Sequence, residues 1–306
     1  MKPLIDNEER LTWIFGSSRS GSTWLLRMLS DFERVVPIDD PHLGHHLGVW
    51  RPIPLAWAAA EEPPEKLTTL LELKAEEPGY FFADRYRESW WEPLRTLICS
   101  RFEAQAEGVP GAGRRAPVYV VKEPGSHAAP LLLDLFPSSK VVFLLRDGRD
   151  VVDSWLDGYR DGSWAIPGGA FPVSEKGRVP LIRWLSAVWV VRSRAVQRAF
   201  DSLPPESRLL VRYETLREQT ADTLRAVCAM LGLGAEHAAE VAERHRFERV
   251  PARQRGPRRE VRAASPGSWR ENLSPAEQEA MHEALGPALE EFGYASDARE
   301  PAVAAR

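Results

Sequence analysis

Short apolar runs closed by small or charged residues alternate along this chain with stretches of helical period. Leu11–Gly16 is apolar and ends in glycine, Ser17–Thr23 is small and polar, and Trp24–Leu29 returns to helical spacing. That order predicts strand, loop and helix. It recurs at Val118–Val121, a β-branched run, and at Lys140–Leu145, which ends at Arg146 ahead of a helical stretch from near Asp150. Continuous apolar runs separated by helices suit a parallel sheet covered on both faces, so the fold class is α/β.

Further on, Trp184–Phe200 predicts a long helix, Arg208–Tyr213 a strand, and Ala221–Leu231 a helix closed by Gly232. From Arg244 to Gly267 the chain is basic and irregular. Ser274, Pro275 and Glu277 form an N-terminal capping signature for a last helix to about Leu289. Glu61–Glu65 and Gly108–Ala116 read as surface connections. One domain is expected over residues 1–295, with a disordered tail over 296–306.

With 306 residues, 43% of them hydrophobic, the chain can build a sizeable core. Its 40 basic and 44 acidic residues leave a net charge of −4, so no global positive field favours nucleic acid or an anionic membrane, and any anion site must be local. The first residues, MKPLIDNEERLTWIF, lack a basic-then-apolar signal, and no run of 18 or more apolar residues is present. The expectation is a cytoplasmic protein with no membrane span. Cys99 and Cys228 are too few for a disulfide framework and are read as buried, reduced thiols.

The segment Gly16-Ser-Ser-Arg19-Ser20-Gly21-Ser22-Thr23 nearly spells a phosphate loop, whose backbone N–H groups would surround an anion at the positive end of a helix. Ser22, however, stands where a nucleotide triphosphatase or kinase needs lysine, and Lys140–Leu145 ends in Arg146 rather than in an acidic residue for Mg²⁺. The cation has moved to Arg19. Taken alone, such a loop can also be a Ser/Gly-rich turn that binds nothing.

Arg19-Ser20-Gly21-Ser22-Thr23-Trp24-Leu25 resembles the 5′-phosphosulfate loop of the sulfotransferases that use 3′-phosphoadenosine 5′-phosphosulfate (PAPS). Val141–Ser154 resembles the same family's 3′-phosphate site, with Arg146 at a strand end and Ser154 on the following helix; an arginine fork and a serine hydroxyl suit a phosphate. In isolation, Arg146, Arg149 and Asp150 also read as an ion-pair network at a helix start. The run ending in Tyr213 resembles the strand whose tyrosine meets the adenine side. The stretch from Arg262 through Gly267 to Trp269 resembles the distal RKGxxGxW segment, with Ala263 and Ala264 replacing its lysine and first glycine. Trp269 also reads as core. Four ordered motifs between about residues 11 and 290 imply a sulfotransferase with a P-loop NTPase-like fold. They further imply PAPS as donor, 3′,5′-adenosine diphosphate (PAP) as product, no obligatory metal, and a small-molecule or carrier-bound acceptor.

A general base is needed to take the acceptor's proton. The family's cytosolic members carry a histidine two residues after a strand-end lysine. Here Lys122 is followed by Glu123 and Pro124, which leaves Glu123 or His127 as candidates. The branch that includes the tyrosylprotein sulfotransferases takes an acidic residue about twenty positions after the loop, and Asp40 lies 21 after Arg19. Asp40 is preferred, the competing reading being that Asp39 and Asp40 are turn residues before Pro41. His42, His45 and His46 lack zinc-type spacing, and His42 is held as a reserve base. Trp57, Trp90, Trp91, Trp155, Trp164 and Phe171 lie between the motifs. Of these, Trp155 immediately precedes and Trp164 lies within a Gly/Pro-rich stretch, Leu156–Pro180, that could cover an apolar acceptor.

Overall fold

The computed structural model describes residues 3–47, 74–107, 109, 116–168, 170, 172–259 and 265–295. Trp57, Phe171, Arg262 and the 296–306 tail lie outside them, as do residues 61–65 and all but two of 108–116.

Five strands form one parallel sheet: β1 (Leu11–Phe15), β2 (Val35–Asp39), β3 (Val118–Lys122), β4 (Lys140–Leu145) and β5 (Arg208–Arg212), in the order β2-β3-β1-β4-β5. Trp13 pairs with Val121 on one side and Val141 on the other, and Asp39 pairs with Lys122 at the β2 edge. β1 is buried throughout because both faces are covered. Ile14 joins a core with Leu25 and Leu29 of the helix Ser22–Leu29 and with Val227 of the helix Thr220–Leu231. On the opposite face Trp13 stacks on Phe15 at 5.7 Å and meets Phe102 and Phe136. Its indole N–H donates to Ser139 Oγ at 3.0 Å, so the one polar atom of this large side chain is satisfied.

Two of these elements differ from the sequence reading. Val35–Asp39, to which the sequence assigned no element, is a strand that takes in Asp39, and Pro37 fits there because β2 is an edge strand whose missing donor leaves no ladder bond unmade. Tyr213 opens a short helix, Tyr213–Glu218, instead of ending β5. The helix Arg87–Ala106 had no clear amphipathic signature because Pro93 interrupts it, yet Trp90, Ile98, Cys99 and Phe102 are buried along it.

The described chain divides into two compact units. The first holds the whole sheet and comprises the described residues of 1–51, 68–145 and 192–246; the second comprises the described residues of 146–191 and 247–306. In the second, the helix Gly148–Gly158 is capped by Asp147, which accepts from Arg149 N at 2.9 Å. The last helix, Pro275–Glu291, carries the expected capping box between Ser274 and Glu277. Arg178 pairs with Glu277 at 2.6 Å.

Candidate active site

In the first unit, Gly16–Thr23 connects β1 to the helix Ser22–Leu29 at the carboxyl end of the sheet, where helix amides can receive an anion. The loop is sharply bent. Arg19 has φ +74°, a left-handed conformation uncommon for a side-chain-bearing residue, and Gly21 has φ +93°. A Cβ at Gly21 would fall 2.7 Å from the Tyr213 ring. Tyr213 therefore packs under the loop, and its ring meets Trp24 edge-on at 6.5 Å. Trp24 is fixed in turn by its indole N–H donating to His245 O at 2.9 Å.

Three polar contacts hold the loop from outside. Ser126 Oγ donates to Gly16 O at 2.7 Å, Arg192 donates to Ser18 Oγ at 2.9 Å, and Lys122 Nζ donates to Thr23 Oγ1 at 2.8 Å. Ser20 Oγ is buried and has no hydrogen-bond partner among the described residues.

Lys122 ends β3, and the parallel register brings Asp39 of β2 beside it. Its ammonium lies 2.6 Å from Asp39 Oδ1 and 2.8 Å from Asp40 Oδ2. Asp40 has φ +49° and His42 φ +55°, two residue types that tolerate the left-handed region. Both carboxylates keep about half of their side-chain surface in solvent, 53% for Asp39 and 43% for Asp40, whereas Lys122 is enclosed. One cation thus touches both the anion loop and an accessible carboxylate.

Glu123 is placed differently. It is 1% exposed, and its two oxygens accept from Gly125 N at 2.7 Å and Leu43 N at 2.8 Å. Burial pushes its carboxyl above the usual range, against the opposing pull of these backbone donors. It ties the end of β3 to the segment that starts the turn Leu43–His46. His127 is 4% exposed, and burial, with Arg192 and His45 adding to it, pulls its pKa down to about 2. His45 faces His127 with ring centroids 5.6 Å apart and is lowered to about 4, by burial first and then by Arg192, His42 and His46. Both imidazoles are neutral near pH 7. Sequence reading passed over Arg192, since an arginine in mid-helix carries no motif; only its reach to Ser18 marks it out.

In the second unit, Arg146 directly follows β4 in sequence and is buried, and its carbonyl accepts from Trp189 Nε1 at 3.2 Å. Ser154 is also buried, within the helix Gly148–Gly158. Arg149 forms a bidentate pair with Asp147 at 2.7 to 3.2 Å and lies over the Trp269 ring at 4.8 Å. Trp269 is fully buried and fills the core. Gly267 has φ +83°, and its N–H donates to both oxygens of Asp150 at 2.8 and 3.0 Å. Trp155 and Trp164 are tilted neighbours at 6.5 Å, and Trp164 N donates to Arg258 O at 3.0 Å. Among the described residues, no group of three or more His, Cys, Asp or Glu is arranged to hold a metal, and no helix is long and apolar enough to cross a membrane.

A bent loop bearing Arg19 between β1 and the helix Ser22–Leu29, on a parallel sheet in the order β2-β3-β1-β4-β5, defines an α/β protein of the P-loop-like class. The sulfotransferase family model matches residues 12–237, and the chain belongs to that family: it is a sulfotransferase, an enzyme of sulfuryl transfer. No curated protein sequence matches it. Its fold is similar to that of mouse sulfotransferase SULT7A1 complexed with PAP, at 13% identity over 94% of this chain and 88% of that one, with a TM-score of 0.52. It is similar also to sulfotransferase STF9 from Mycobacterium avium, at 16% identity over 95% and 79% of the two chains, with a TM-score of 0.50.

Proposed function

We propose that this enzyme takes its sulfuryl group from PAPS, releases PAP, and delivers the group to a hydroxyl of a small-molecule or carrier-bound acceptor, with Asp40 as general base. The observation that carries the reading is the placement of Lys122, whose ammonium reaches Thr23 of the loop and Asp40 at the same 2.8 Å. Asp40 accepts the hydroxyl proton as the acceptor oxygen bonds to sulfur. The sulfur–oxygen bond to the 5′-phosphate breaks, and the electron pair stays on PAP. Lys122 and Arg19 stabilise the negative charge that develops on the bridging oxygen. The loop amides with Ser20, Gly21, Ser22 and Thr23 hold the phosphosulfate, and the buried Ser20 hydroxyl is a donor suited to it. Trp24 and Tyr213 keep the loop in shape.

In the second unit, Arg146 and Ser154 serve the 3′-phosphate, with Gly267 and Arg262 of the distal segment. Glu123 and His127 are supporting groups in this reading, because the first spends its oxygens on backbone N–H groups and the second is enclosed. His42 flanks the site. Two free, buried cysteines, with burial pushing Cys99 up to about 12 and Cys228 to about 11, fit a reducing, cytoplasmic setting.

Thermal stabilisation tests the donor. PAP should raise the melting temperature by several degrees without metal, while ATP with Mg²⁺ should do little, since a ligand bound only by the native state stabilises it. Stabilisation by ATP–Mg²⁺ and none by PAP would replace this reading with a kinase or nucleotide triphosphatase.

A further inference from the structure

Arg19 keeps a backbone conformation that its own side chain resists. Residues 17–20 form a four-residue turn closed by Ser20 N donating to Ser17 O at 3.2 Å, and Arg19 is the third of them, with φ +74°. Glycine ordinarily supplies a positive φ at that position, because a Cβ crowds the neighbouring carbonyl. A residue with a side chain stays there only where its surroundings impose the conformation.

The loop is constrained at its start, middle and end, by Ser126 on Gly16 O, Arg192 on Ser18 Oγ and Lys122 on Thr23 Oγ1. Of these three bonds only that from Arg192, at 2.9 Å, reaches a residue inside the turn, and Ser18 directly precedes Arg19. Arg192 is suited to the task. It lies on the helix Arg178–Asp201, is itself buried, and is followed by the fully buried Ser193 and Val196, which anchor this part of the helix. A guanidinium keeps its charge in such surroundings and presents its donors in a fixed plane. After burial, that charge is the next cause lowering both His127 and His45. Both imidazoles are therefore neutral, and on this side of the loop the positive charge is carried by arginine and not by histidine.

We propose that Arg192 is a positioning residue for sulfuryl transfer: through its hydrogen bond to Ser18 it holds the turn in which Arg19 keeps its left-handed conformation, and so aims Arg19 at the sulfuryl group. This rests on the donor reading above and adds to it two residues, Ser18 and Arg192, that stand outside the loop's motif. Arg192 touches no reacting atom; it acts through Ser18.

Hydrogen exchange followed by mass spectrometry reads the turn, and release of PAP from PAPS, with water or an added simple phenol as acceptor, reads the chemistry. In Arg192→Gln and in Ser18→Ala, peptides covering residues 16–23 should exchange about tenfold faster and PAP release should slow about tenfold. Ser18→Thr, which keeps the hydroxyl, should recover most of both. The decisive comparison adds Arg192→Gln to Arg19→Ala. There the further loss should be less than about twofold, since no Arg19 side chain is left to aim, whereas a general loss of packing would cost as much as it does in wild type. Near-ultraviolet circular dichroism checks folding, and if Arg192→Gln does not fold, Ser18→Ala, at a partly exposed position, carries the same comparison. Unchanged exchange over residues 16–23 in the folded variants overturns the proposal alone, and so does a tenfold loss that persists beside Arg19→Ala. Wild-type protein that releases no PAP from PAPS, or Arg19→Ala that releases it at the wild-type rate, defeats the donor reading and the proposal with it.

Discussion

Lys122 Nζ and Asp40 Oδ2 lie 2.8 Å apart, although their residues are separated by 82 positions in sequence. The contact follows from the sheet: β2 and β3 run parallel with Asp39 opposite Lys122, and Asp40 N donates to Lys122 O at 3.2 Å. The same ammonium holds Thr23 of the anion loop. A carboxylate, an ammonium and the loop are thereby joined, with Pro124 rather than a histidine two residues after Lys122.

Asp40→Asn keeps the shape and the hydrogen bond to Lys122 but removes basicity. Turnover should fall by about 10²–10⁴ while PAP affinity stays within about twofold, as read by steady-state kinetics and calorimetry. A near-normal rate would move the role away from Asp40.

Glu123→Gln should behave in the opposite way. Both carboxylate oxygens receive backbone N–H donors, so the amide nitrogen of glutamine must face one of them and leave it unpaired. We expect a loss of about 1–3 kcal/mol in stability, measured by urea unfolding, with turnover reduced far less than in Asp40→Asn. A collapse of turnover at full stability would make Glu123 the base.

If Arg146 holds the 3′-phosphate as proposed, Arg146→Ala should weaken PAP binding by about 2–4 kcal/mol through loss of a charge-assisted contact. Arg19→Ala should instead lower turnover more than PAP affinity, since in the proposed reading Arg19 acts at the end that bears the sulfuryl group. Equal losses in both measurements for Arg19→Ala would count against its placement.

The strands β1, β3 and β4 were legible because buried parallel strands read as continuous apolar runs. The loop between β1 and the helix Ser22–Leu29 was legible because its glycines and hydroxyls sit between such a run and a helix. β2 was hidden, since Pro37 interrupts a short apolar run and Asp39 and Asp40 ahead of Pro41 carry the signal of a turn. Asp40 could be named from its spacing after Arg19, but its partner could not, because pairing with Lys122 depends on the β2–β3 register. Arg192 was illegible for a similar reason: its hydrogen bond to Ser18 spans 174 positions. Asp150 was read as part of a helix-start ion-pair network. Its contact with Gly267, 117 positions away, is a product of packing.

The last prediction concerns acid. His127 and His45 titrate at about 2 and about 4 in the folded protein, against an ordinary value of 6.5. Below pH 6.5 the unfolded chain therefore binds protons that the folded chain refuses, and stability must fall as pH drops. For the enclosed His127 the loss by pH 4 is on the order of 3 kcal/mol; His45, being more open to solvent, contributes less. Asp150 works against this trend, because a carboxyl raised to about 6 gives stability that is lost as pH rises through that value. A comparison between variants removes that opposing contribution. Urea midpoints between pH 7.5 and 4 should decline less steeply for His127→Gln than for wild type, whatever the absolute stability of the variant. Arg192→Gln should also flatten the decline, since its cation is one cause of the depression at both histidines. Parallel slopes for wild type and His127→Gln would mean that His127 accepts a proton in the folded state as readily as in the unfolded one, and its enclosure beside Arg192 would then play no part in the acid response.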